Sequence, residues 1–491
     1  MKPIYILNFL LTVFALLLVL IIFFPDDGIK VNDELTLKFP SFEDVFTLKK
    51  VEYADISDII EQHQSIIDSV YINNNDSVNP DNKIDTVRFK ADSLIQVIHK
   101  LEFPNNDKSI LNNFFSALVN LKNNNELIRI LHYGDSQIEG DRISSYLRNK
   151  FQKRFGGSGP GMLPAIEKIC QSASINRYAS GNWVNHSIFF KKDTILSHRR
   201  FGALTSFARF VPYNNDSINN NEKIYEAYIS VEKSNISYKS VRNFNQFRMF
   251  YGFNKYPVDI EFYVDGNLSA FETLTPGKKL KYVKWNFEKS FNNLQIKFKG
   301  KDSPDVFAIA LDNKSGIALD NIALRGSSGT DFTRTNLYFM KEMYDILNVK
   351  LLIIQFGVNV VPHIVKDYTY YEKRLYRQLV ALKQMNPKIP IIVVSVSDMS
   401  KKEKDYYVSY PNIEKIRNAQ KNAAFKANCA FWDMYEAMGG KNSMPSWVFA
   451  QPPLAQKDFV HFSYRGSKII SQMFYNAIMY EYNFYLTKKS S

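Results

Sequence analysis

Two blocks in which short apolar runs alternate with amphipathic stretches, held apart by a long segment of different texture, constrain this chain more than any other feature. The first block joins "LIRILHYGDS", residues 127 to 136, to "EGDRISSYLRNKFQKRF", residues 139 to 155. The second opens at "GIALDNIALRGSSGTDF" and continues through "NLYFMKEMYDILN", "KLLIIQFGVN", "YYEKRLYRQLVALKQMN", "IPIIVVSVS", "IEKIRNAQKNAAFKAN" and "CAFWDM". Unbroken apolar runs fit strands buried on both faces, and a helical period between them fits helices that cover those faces. The expected fold class is α/β, a three-layer α/β/α domain around a parallel sheet. It begins near residue 105, where "NNDKSILNNFFSALVNLKNN" has apolar residues at 110, 111, 114, 115, 118 and 119 behind Asn and Asp cap candidates.

The intervening segment is rich in Tyr, Phe, Asn and Ser with little helical period. "KIYEAYISVEK", "FNQFRMFYGF", "VDIEFYVDG" and "NLQIKFKG" read as strands, with turn signals at Asp265-Gly266 and Pro276-Gly277. Short strands at regular spacing predict a β-sandwich. Because α/β texture stands on both sides, the β-module interrupts one domain: residues 105–169, then an insertion over 170–312, then 313–491.

At the other end, Ile4 to Phe24 carry no charge, and at about 1.5 Å per residue the run spans a hydrocarbon core of roughly 30 Å. Lys2 precedes it and Asp26 and Asp27 follow, which keeps the N-terminus cytoplasmic and sends the rest outward. A cleaved signal peptide has a shorter apolar core ending in small residues, so residues 1–25 are read as an uncleaved anchor. Residues 26–104, polar and with weak helical stretches around 55–70 and 90–101, are read as a spacer. The net charge of +13 favours anionic surroundings. The basic residues are scattered and form no nucleic-acid motif, so no nucleic acid is expected as a partner. Cys170 and Cys429 are too few for a disulfide framework or a zinc site, although one bridge between them stays open; no metal or cofactor is called for.

Open parallel sheets carry their sites at the carboxyl ends of the strands, and Ser136 lies at such an end. A serine hydroxyl becomes a nucleophile only when a base takes its proton, and the base must be oriented by an acid. "QKDFVHFSYRG" supplies Asp458 and His461 just ahead of a helix. "QFGVN" ends a strand with Asn359, whose amide suits a developing oxyanion, and "RGSSG" ends another with flexible glycines. Other readings stand beside this one: Ser136 as a helix cap, Asp458 as a cap of the last helix, and His461 as a surface residue. His132 is expected to pack beside its strand, and His363 to lie near the mouth. "FGGSGPG" lacks the ending of a phosphate loop and is read as a connection to the insertion.

Together, Gly134-Asp135-Ser136, the "RGSSG" glycines, Gly357-Val358-Asn359 and Asp458-x-x-His461, in this order, resemble the four sequence blocks of the SGNH (GDSL-type) hydrolases over residues 105–165 and 315–485. The resemblance implies a flavodoxin-like α/β/α domain. It assigns Ser136 as nucleophile, His461 as base and Asp458 as its orienter, with the oxyanion held by Ser136, Gly329 and Asn359; Gly326 is the fallback for Gly329. The chain departs from the family pattern at Val360, where an acid usually follows the Asn. An inserted sandwich and an anchor resemble those members that act on O-acetylated envelope glycans, in which the sandwich resembles carbohydrate-binding modules. The implied function is a membrane-anchored, periplasmic or otherwise extracytoplasmic O-acetylesterase, whose partners are the membrane and an acetylated glycan, peptidoglycan or another polysaccharide. Two alternatives remain: an O-acetyltransferase fed by a multi-pass membrane acyltransferase, and a non-catalytic glycan-binding assembly protein.

Overall fold

The computed structural model describes residues 3–25, 28–32, 35–40, 51–65, 97–166, 172–189, 196–213, 223–288 and 291–490. They fall into two compact units, Met1–Glu52 and Tyr53–Ser491. The first unit holds the apolar helix Pro3–Phe23, none of whose residues is buried. Its 21 residues, with a mean hydropathy of 3.0 over an 18-residue window, are enough to cross a membrane, and a signal sequence passes the same test.

In the second unit a parallel sheet runs through β1 (Leu127–Gly134), β2 (Gly316–Ala323), β3 (Val349–Gln355), β4 (Ile391–Val394) and β5 (Ala430–Trp432), in the spatial order β2-β1-β3-β4-β5. That is a flavodoxin-like order, in which the direction of winding reverses between β1 and β3. The strands alternate their apolar residues between two cores. Ile130, Leu351, Ile353 and Trp432 face the helices Asn112–Asn124, Ser144–Phe155 and Tyr464–Ser490. Leu131, Leu352, Ile354 and Val393 face the other way, toward Leu337–Leu347, Thr369–Met385 and Ile413–Lys426. Every expected strand and helix of the α/β blocks is present. Burying one such Leu or Ile side chain contributes about 1.5–3 kcal/mol, which is why unbroken apolar runs end up in the middle layer.

Between the helix Ser144–Phe155 and β2 the chain builds two antiparallel sheets. One has the order 267–274, 258–264, 293–300, 225–233, 175–179; the other has 280–286, 246–252, 305–312, 206–209, 184–187, with Gly161–Leu163 added beside 305–312. They share a core in which Ile260, Phe262 and Phe298 of one sheet meet Phe247, Met249 and Ile309 of the other. Asp265 and Gly266 take positive φ of 48° and 84° and close the Val264 to Asn267 hairpin, as their sequence signalled. The strand Asp305–Asp312 is buried at every position. Its Val306, Ile309 and Leu311 face the other antiparallel sheet, while Phe307, Ala308 and Ala310 face the core of the parallel sheet.

Two sequence expectations need correction. The spacer does not reach residue 104, because Ile56, Leu101 and Phe103 are buried in the same core as β1 and β3, and Glu102 bridges to Phe431. Their apolar side chains are few, but each finds a site on the sheet's covering layer. A short helix, Ser57–Gln62, stands in the first expected helical stretch, and most of the second lies outside the described residues. The β-strands also start earlier than residue 170, at Gly161. Of the cysteines, Cys429 is buried and free, and Cys170 lies outside the described residues.

Candidate active site

Ser136 follows the end of β1, Asn359 follows β3, and the turn 324–329 follows β2, which flanks β1 on the side away from β3. The three loops meet at the reversal of strand order, where open α/β sheets leave a crevice. Ser136 caps no helix. The next helix begins at Ser144, and its cap position, Ile143, makes no side-chain bond.

His461 bridges the other two expected residues. Its Nε2 lies 2.8 Å from Ser136 Oγ and its Nδ1 lies 2.7 Å from Asp458 Oδ2. A carboxylate only accepts, so the proton sits on Nδ1 and Nε2 is left to accept from the serine hydroxyl. Asp458 also accepts the backbone N–H groups of Val460 and His461, both at 3.0 Å. Burial works to raise its pKa, but the hydrogen bonds from the His461 ring, the His461 backbone and Val460 outweigh that effect and hold it below the usual carboxylate value. Asp458 is therefore occupied with the histidine and does not cap the last helix, which Ser463 serves through its hydroxyl to Gly466 N–H at 3.2 Å.

The serine and histidine loops are tied together by residues that the sequence reading passed over. Gln137 donates its amide to Val460 O at 2.7 Å and to Ser397 Oγ at 2.9 Å. Arg142 donates to Ser136 O at 2.6 Å. Phe459, at φ 57°, stacks on Tyr407 with centroids 3.5 Å apart, which pins the turn that carries Asp458 and His461. The carboxylate of Asp135 accepts from Gln137 N–H and Gly357 N–H, each at 3.0 Å, and from Val358 N–H at 3.3 Å. It joins the end of β1 to the loop after β3. Only its position inside the Gly-Asp-Ser motif marked it in the sequence.

The expected oxyanion donors are held in the same loops. Asn359 spends one amide hydrogen on Ser327 O at 2.9 Å and keeps the other. Gly329 N–H points to Ser327 Oγ at 3.0 Å. Gly329 has φ +77°, and a Cβ there would stand 2.6 Å from the Phe356 ring, so only glycine fits. Gly326 faces open space. Val360, in the place of the family's acid, is buried in the core of the parallel sheet. His132 is a core residue between Gln355 Oε1 at 3.0 Å and Ser144 Oγ at 2.9 Å, and burial pushes its pKa down to about 4. His363 is exposed, with its carbonyl taken by Tyr368 OH at 2.6 Å. The glycine run at 156–161 carries the chain against the backbone of β2, where a Cβ on Gly157 would lie 2.4 Å from Ile317 O.

No family model matches the sequence, and no curated protein does. Solved structures do match. One of a peptidoglycan O-acetylesterase aligns with 76% of this chain and 96% of its own length, at 18% identity and a TM-score of 0.57. An acetyl xylan esterase covers 33% of this chain and 81% of its own at 17% identity and a TM-score of 0.26. A putative GDSL-like lipase from Parabacteroides merdae covers 33% and 72% at 18% identity and a TM-score of 0.24. The likeness to the first covers most of both chains, and from it the present chain has an SGNH-like fold.

Proposed function

We propose that this protein is a serine esterase that removes O-acetyl groups from cell-envelope carbohydrate. The observation that carries the proposal is the unbroken relay from Asp458 through His461 to Ser136 at the carboxyl end of a parallel sheet. Ser136 Oγ attacks the acetyl carbonyl as its proton passes to His461 Nε2, and Asp458 steadies the imidazolium that forms. The protonated His461 then gives that proton to the departing sugar oxygen, leaving acetyl-Ser136. Water attacks this ester, its proton returns to Nε2, and acetate leaves with Ser136 regenerated.

In both steps the carbonyl oxygen gains charge. The N–H groups of Ser136 and Gly329 and the remaining amide hydrogen of Asn359 are the donors we assign to it; Gly329 must turn its N–H from Ser327 Oγ, a neutral partner that an oxyanion outcompetes. Loss of one such donor costs about 10²–10³ in rate.

Three features support a glycan substrate outside the cytoplasm. The fold is that of a peptidoglycan O-acetylesterase. The net charge is +13, which suits an anionic envelope. The helix Pro3–Phe23 is long enough for a membrane anchor, with residues up to 52 as spacer. We read the two antiparallel sheets as an inserted β-sandwich and residues 53–160 and 313–491 as the SGNH-like domain.

Ser136→Ala should lower cleavage of a chromogenic acetyl ester at least about 10³-fold with the melting temperature unchanged, since it deletes one hydroxyl and little buried surface. Activity within tenfold of the parent would refute the assignment.

A further inference from the structure

Beside the serine loop lies a cavity of about 160 Å3 whose two walls come from different parts of the fold. Glu139 and Gly140 form one wall together with Leu324 and Arg325 at the end of β2. Glu139 N–H donates to Ser136 O at 3.2 Å, so this wall starts within one turn of the candidate nucleophile. The opposite wall is built by the antiparallel strands, with Asn185, Ser187 and Ser206 on it. We infer that this cavity is a subsite for one uncharged sugar ring of a glycan chain. The inference rests on the esterase reading for its purpose, and on the cavity alone for its chemistry.

Size and charge make the choice. The volume falls below the roughly 300–1,000 Å3 of sites that enclose a drug-sized ligand, so it admits a single ring. The cations around it are engaged: Arg148 clasps the Asp141 carboxylate at 2.7 and 3.0 Å, Arg325 lies 3.6 Å from Glu139, and Arg177 donates to Pro164 O at 2.7 Å. What the lining offers a ligand is the Asn185 amide and the Ser187 and Ser206 hydroxyls, together with the apolar Leu163 and Leu324. A pyranose matches both, with a hydroxyl edge and a C–H face. Binding a ring here would hold a neighbouring acetylated sugar at Ser136, so that remote binding energy positions the reacting ester. The antiparallel sheets would then be a wall of the site and not a separate binding module.

The test is calorimetric titration of the full chain in detergent with xylotetraose, tetra-N-acetylchitotetraose and tetragalacturonate, none of them O-acetylated. At least one neutral tetrasaccharide should bind, and more tightly than the charged one. Asn185→Ala should weaken it about three- to tenfold, the loss of one net hydrogen bond. Ser206→Phe, which fills the cavity from the wall away from Ser136, should weaken it by more than about tenfold; should that variant fold poorly, Asn185→Ala decides alone. Binding unchanged in the variants, no binding of a neutral tetrasaccharide, or a preference for the galacturonate overturns the inference. The same preparations are assayed with a chromogenic acetyl ester. Cleavage combined with binding indifferent to the substitutions defeats the subsite alone, whereas variant-sensitive binding without any cleavage defeats the esterase reading alone.

Discussion

At the scale of single residues, Asp135 carries a conflict between solvation and hydrogen bonding. Burial pushes its carboxyl up to about 6, although the N–H groups of Gln137, Gly357 and Val358 pull the other way. An unfolded Asp titrates near 3.9, so between these values the native state holds a proton that the unfolded chain has lost. The stabilisation is complete below about pH 4 and disappears as the pH rises through about 6. The variant Asp135→Asn has no such titration. The difference in urea-unfolding free energy between parent and variant should therefore change by an amount on the order of 2–3 kcal/mol from pH 4 to pH 7; a constant difference would refute the account. Val360 bears on the same point, because an apolar side chain packed in the core contributes no charge to the site, and Asp135 is the carboxylate that ties its loops.

Among the elements, residues 53–65 separate a spacer from a structural part. Cutting the chain after Glu52 removes the helix Pro3–Phe23 and leaves the second compact unit whole. Cutting after residue 65 also removes Ile56, buried in the core, and Ile59 and Ile60, which pack against it. The shorter deletion should give a soluble protein. The longer one should be less stable by at least about 2–5 kcal/mol, the loss expected for one large apolar side chain taken from a core. Denaturant midpoints of the two truncations, measured side by side, check this, and equal midpoints would make residues 53–65 mere spacer. The hairpin at Asp265-Gly266 shows the opposite case, an element set by two residues whose φ preferences suffice.

For the whole molecule, the antiparallel sheets and the parallel sheet share a buried ion cluster. Arg129 of β1 pairs with Asp320 of β2 at 2.5 Å and with Asp312 of the strand 305–312, while Arg248 reaches Asp312 at 3.2 Å. Asp312→Ala should cost about 3–5 kcal/mol, because it leaves Arg129 with one partner in a site sealed from water. Excising residues 161–312 should yield no folded protein by circular dichroism, since it also removes Phe207 and Phe307 from the buried core they share with Leu131, Tyr133 and Ile322. A folded excision product would defeat this view. None of that attachment was legible in the sequence: Arg129 stands far from Asp312 and Asp320, and all three look like ordinary charges until three strands bring them together. The apolar runs and their helical spacers did determine the parallel sheet by themselves, since burial on both faces leaves such runs one place to go. The residues of the relay could likewise be named from motif and order alone. Their 2.7 and 2.8 Å contacts were decided by the tertiary structure, because a hydrogen bond between residues 136 and 461 exists only once Asp135, Gln137 and Phe459 have fixed the loops that carry them.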